Sequence, residues 1–177
     1  MLQEHSDNET VAAASTGALA KLVTRKENAA YIAKAGGIKN AVGVYDAHPE
    51  SEKVAKACLD FFSRMAAHDQ VVPTLVDQGV VKATVGILKS QVEDKDMVAT
   101  AINTLGRLAT SKANVEKIAQ AGGLEAVVEA LNTQMDDLDL AKQCLLLMET
   151  AALVPANQAT LRNLDAVDSI LKVCSEC

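Results

Sequence analysis

The chain repeats itself at a fixed interval of 43 residues, four times over, without an insertion. The runs NAAYIAKAGGI (28–38), VVPTLVDQGVV (71–81), NVEKIAQAGGL (114–124) and NQATLRNLDAV (157–167) align gap-free. A period of this length marks a solenoid, whose units cannot each bury an apolar face alone and therefore stack on their neighbours. The aligned columns keep their chemistry. Ile32, Leu75, Ile118 and Leu161 fill one column, and Ile38, Val81, Leu124 and Val167 fill another. Gly36, Gly79 and Gly122 form a third, where glycine suits a sharp helix-to-helix turn that needs positive φ or close backbone approach. Asp165 takes that place in the last unit, so its turn is expected to differ.

Apolar spacing predicts three helices per unit, in the first complete unit over about 26–35, 39–47 and 52–66. The third is the longest, with counterparts at 96–109 and 139–152, and acidic residues stand at each start, where they favour a helix N-terminus. Val54, Cys58, Phe61, Phe62 and Met65 match Met97, Ala101, Thr104, Leu105 and Leu108, one buried stripe per third helix. One period before Val54 lies Val11, which makes 8–24 a third helix without its first two. Residues 155–177 supply a first and second helix without a third. The expected organisation is a single domain over 1–177, with complete units at 26–67, 69–110 and 112–153 between these partial ones. Ragged ends of this kind are expected of a piece of a longer solenoid.

Composition narrows the function. With two Phe, two Tyr and no Trp, the core must be built from Ala, Val, Leu and Ile, which suits close helix packing. A net charge of −6 argues against a nucleic-acid surface. The apolar stretches fall far short of the roughly 20 residues that span a bilayer. The start, MLQEH, has neither a signal-peptide pattern nor the glycine needed for myristoylation, so a soluble, cytoplasmic chain in a reducing compartment is expected. Among Cys58, Cys144, Cys174 and Cys177, only the last two stand at two-residue spacing, and no further ligands stand near them; all four read as reduced thiols. Cys58 and Cys144 occupy equivalent stripe positions and read as small core residues. His5, His48 and His68 match no metal-ligand spacing, and no phosphate-loop, HExxH or GxSxG motif occurs. No enzyme activity, cofactor or metal is expected.

The run A-G-G-I or A-G-G-L at the first turn, with the closing pattern Leu105, Gly106, Arg107, Leu108 and Ala109, resembles the armadillo repeat family over about 8–177. That resemblance implies an all-α fold, a right-handed α-solenoid of three-helix units whose third helices line a concave groove for extended peptides. It also implies no catalysis. Nuclear-import adaptors of this family carry Trp four residues before Asn on successive third helices and grip basic signals. Here the Trp places hold Gly17, Asp60, Asn103 and Leu146, and the Asn places hold Lys21, Arg64, Arg107 and Thr150. Basic import signals are therefore not the expected ligand.

Lys21, Arg64 and Arg107 fall in one column, a ladder of cations that can pair acidic or phosphorylated side chains of an extended segment. Asn103 can bond the peptide backbone, Lys56 and Lys142 lie on the same faces one turn earlier, and Asp60 completes the groove set. Asp60 and Arg64 stand four apart and can equally pair within their own helix. Glu93, Asp94 and Asp96, then Asp136, Asp137 and Asp139, read as solvated, helix-capping rims, with a second, basic partner as the competing reading. The partner expected is another protein, through an extended and acidic segment. The alternative is structural: the open ends invite head-to-tail assembly or continuation of a longer solenoid.

Overall fold

The computed structural model describes residues 8–176, and side chains as far as Val173, so the readings on His5, Cys174 and Cys177 fall outside what is described. The described residues form helices and connections only. The elements are α1 (Glu9–Leu22), α2 (Lys26–Lys34), α3 (Gly37–Ala47) and α4 (Glu52–Ala66), then a 3-10 turn (Asp69–Val71). They continue with α5 (Val72–Asp77), α6 (Val80–Ser90), α7 (Lys95–Leu108), α8 (Lys112–Gln120), α9 (Gly123–Thr133), α10 (Leu138–Ala152), α11 (Pro155–Asn163) and α12 (Ala166–Glu176). No single described helix is long and apolar enough to cross a membrane.

The repeat period sets the helix starts through side-chain caps. Asn8, Ser51, Asp94 and Asp137 fall one period apart, and each accepts a hydrogen bond from a first-turn backbone N–H of α1, α4, α7 and α10 respectively. The same register closes the helix ends. Asn28, Asn114 and Asn157 donate their amides to the carbonyls of Leu22, Leu108 and Ala151, which the preceding third helix leaves without an intrahelical partner. Val71 takes the asparagine's place in the remaining unit. There the first helix begins as a 3-10 turn and continues as six residues with a proline at its start.

Gly36, Gly79 and Gly122 take φ of 83°, 88° and 79°, the left-handed conformation that aims the second helix back over the first. Contrary to expectation, the last turn is the same: Asp165 has φ 53°, the one positive-φ residue other than glycine among those described. Two helices docked on the preceding unit dictate this turn, whichever residue occupies it. A left-handed conformation costs an L-residue roughly 1–2 kcal/mol, less for aspartate, and glycine gives back part of the gain as entropy. Asp165→Gly is therefore expected to raise stability by about 0.5–1 kcal/mol, read as a higher midpoint of chemical unfolding.

Two rows of helices run through the molecule. α1, α4, α7 and α10 stack on one another, α3, α6, α9 and α12 form the second row, and each third helix packs on the second helix of its own unit. Their aliphatic faces make one continuous core, with Phe61 and Phe62 fully buried near its centre. The far end is open. Val167 and Leu171 on α12 are 57% and 60% exposed, although one period earlier Leu124 and Val128 are 1% and 5% exposed beneath the following unit.

Candidate interaction groove

The row of third helices presents one face with two hollows. The larger, about 620 Å³, lies between α1, α4 and α7. Its floor is apolar, with Ala13, Ala14, Ala57 and Met97, and its rim carries Lys53, Lys56, Asp60 and Asp96. The smaller, about 340 Å³, lies between α7 and α10 and is lined by Ile102, Asn103, Gly106, Arg107, Gln143, Leu146, Leu147 and Thr150. Helical period explains the common floor. Ala14, Ala57, Thr100 and Gln143 are one column of the repeat, so short side chains at its first three members leave the space open.

Lys56 and Asp60 line the first hollow, and Asn103 and Arg107 line the second. Arg64 is tied to the first hollow through Asp60: its Nε donates to Asp60 Oδ1 at 2.8 Å, with both side chains about half exposed. A pair this exposed contributes a few tenths of a kcal/mol and screens readily. Lys21 and Lys142 are exposed on α1 and α10 but line neither hollow. Arg107 repeats the Arg64 geometry with one change of charge. Its Nε donates to Asn103 Oδ1 at 2.8 Å, and that acceptor is neutral. The two arginines are therefore unequal: Asp60 offsets the charge of Arg64, while Asn103 positions Arg107 without neutralising it.

Several lining residues are not among the groove residues expected from the sequence, notably Thr10, Lys53, Ala57, Thr100 and Gln143, and Asp96, expected only as part of an acidic rim, borders the first hollow. The signal was available, because these lie in columns adjacent to the ones that were read. Gln143 adds a side-chain oxygen that is buried and has no partner.

The acidic rims divide by role. Asp94 and Asp137 are the helix caps described above, while Asp96 and Asp139 lie exposed in the first turns of α7 and α10. Burial pushes the Cys58 and Cys144 thiols up to about 12, so both are protonated near neutral pH and act as small core side chains. Among the described residues, no group of three or more His, Cys, Asp or Glu side chains gathers where a metal ion would sit.

Stacked three-helix units with an open face along their third helices define an armadillo-repeat α-solenoid. The chain belongs to the GAC ARM domain family, whose sequence model matches residues 1–176. No curated protein matches it in sequence. Among solved structures, an engineered protein superposes with a TM-score of 0.69 at 21% identity, over 94% of this chain and 63% of the other. This chain thus spans less than two thirds of that protein. A designed armadillo repeat protein, solved in complex with the peptide (KR)4, superposes with a TM-score of 0.56 at 15% identity, over 92% of this chain and 84% of the other. At these identities the likeness concerns the fold.

Proposed function

We propose that the protein is a non-enzymatic scaffold whose groove holds an extended, acidic segment of another protein. The observation that carries this reading is the cation column Lys21, Arg64 and Arg107, one on each of three successive stacked helices, with Arg107 bonded to a neutral partner at the edge of a hollow. Arginine suits the carboxylate or phosphate groups of such a segment because its planar fork can donate two parallel bonds. The complex of the designed armadillo protein with (KR)4 supports an extended peptide as the class of ligand. The charge expected here is the opposite one, since the groove has cations where import adaptors have asparagine.

Fluorescence anisotropy with labelled glutamate-rich peptides beside (KR)4 tests this. Arg107→Glu is expected to weaken the acidic peptide by at least about tenfold, and Arg64→Glu by a similar factor, because it leaves Asp60 unpaired beside a second carboxylate. Equal affinity for both peptides, or indifference to both substitutions, defeats the proposal.

A second reading rests on the open end. Val167 and Leu171 belong to columns that are buried in the other units, save for the partly buried Val42, which supports stacking of a further helical unit, from a second copy or a longer chain. Light scattering of this chain over a wide concentration range addresses the first of these. A strict monomer at high concentration ends self-association as an explanation.

A further inference from the structure

We infer that the groove selects a segment with two apolar side chains four residues apart and an acidic side chain midway between them. This rests on the proposed peptide-holding role and adds to it a sequence rule.

Each hollow has apolar walls and a charged or amide edge. The first is floored by Ala57 and Met97, with Lys56 and Asp60 above, and its polar groups lie at the rim. The second is walled by Ile102, Leu147 and Leu146. Leu146 is 52% exposed, in a column where the other third helices carry Gly17, Asp60 and Asn103. A large aliphatic side chain half in water on the groove face is surface that an apolar side chain of a ligand can cover. The cationic edge then decides which kind of apolar segment enters, since Arg107 borders the second hollow and Arg64 sits one period before it.

The spacing follows from packing. The first hollow is centred on α4 and the second between α7 and α10, one and a half helix steps away. Packed helices lie about 8–10 Å apart, and the second hollow is also about one turn further along the helices, so the two are about 15 Å apart. An extended chain covers about 3.3–3.6 Å per residue, which brings four residues to about that distance. Alternation fixes the parity. In an extended segment, side chains i, i+2 and i+4 point the same way, so anchors at i and i+4 place residue i+2 against the helices as well, beside the arginine column. An acidic residue there meets the guanidinium of Arg107, which has no carboxylate partner, whereas Arg64 is offset by Asp60. The exposed amide of Asn103 is available for backbone groups of the segment.

Peptides of constant composition, in which two leucines are separated by three, four, five or six positions around a central glutamate, test this by fluorescence anisotropy. Separation by four is expected to bind at least about tenfold tighter than separation by three or five, and each Leu→Ser change in the best peptide to cost roughly tenfold. Leu146→Ser in the protein, at an exposed position, is expected to erase the preference at one leucine and leave the other. If affinity ignores leucine spacing, or survives both Leu→Ser changes, while acidic peptides still bind and Arg107→Glu still releases them, the two-anchor rule is wrong and the acidic groove stands. If no acidic peptide binds at any spacing, both fail.

Discussion

Gly123→Val is expected to destabilise the protein by about 3 kcal/mol, and adding Ile118→Leu to return about half of that loss. Gly123 opens α9 directly after the left-handed Gly122. A Cβ added there would lie 2.6 Å from Ile118 Cγ2 and 2.8 Å from the Ile118 carbonyl oxygen, closer than real Cβ contacts. Gly37 stands in the same relation to Ile32, with 2.5 Å and 3.1 Å. Yet the other two units carry Val80 and Ala166 at this place. They also carry Leu75 and Leu161 where the glycine-bearing units carry isoleucine. The pairing has a simple steric cause. Isoleucine branches at Cβ and directs Cγ2 at the turn, whereas leucine branches one bond further out and leaves the space free. A double-mutant cycle by denaturant unfolding is expected to show at least about 1 kcal/mol of coupling between the two positions. Strict additivity would assign the whole cost to the Ile118 carbonyl, which no side-chain change removes.

The sequence made the third helices easy to read because two independent signals coincide there. The apolar stripe repeats at helical spacing, and a capping residue recurs at the same register, so the span 52–66 agrees with α4 at both ends. The second helix of the first complete unit begins two residues earlier than apolar spacing predicts. In α3 the cap is the left-handed Gly36 itself, which offers no side chain to recognise, and the helix begins at Gly37. The turn at Asp165 departs from expectation for a related reason: its conformation is imposed by the packing of α11 and α12, and local preference yields to it. On the groove, charge was legible and shape was not. The column of Lys21, Arg64 and Arg107 follows from arithmetic on the sequence, but a hollow is the space left between side chains of different helices. Lys56 borders one because Ala13 and Thr100 flank it on α1 and α7. Lys21 and Lys142 sit on α1 and α10, the outermost third helices described, each with such a neighbour on one side only. Likewise, nothing in the residue types distinguishes Arg64 from Arg107. Their acceptors do, and those acceptors are four residues earlier in each helix.

Phe62→Ala is expected to cost about 3–5 kcal/mol, a large share of the roughly 5–15 kcal/mol that holds a domain together. Phe62 is fully buried on α4, its ring 6.0 Å from that of Phe61, and α4 packs on α1, α3, α6 and α7. Its equivalents Leu19, Leu105 and Met148 are all smaller than phenylalanine, so this unit holds the largest side chain of the column. By contrast, Val167→Ala on the open face of α12 is expected to change stability by less than about 0.5 kcal/mol. The form of the loss distinguishes this molecule from one with a single closed core. In a stack, each unit is held by its own packing and by the interfaces to its immediate neighbours. Weakening α4 removes support from α1 to α3 but leaves the contacts among α7, α9, α10 and α12 as they were. Far-UV circular dichroism against denaturant will therefore show an early transition for the first units, followed by a later one near the original midpoint. A single transition displaced as a whole would mean that the units are coupled too strongly to unfold in turn. The two hollows divide along the same line. The first is walled by α1, α4 and α7 and will be lost in the early transition, whereas the second, between α7 and α10, will persist beyond it. A peptide that needs both hollows will thus dissociate at the first transition, while more than half of the helical signal remains.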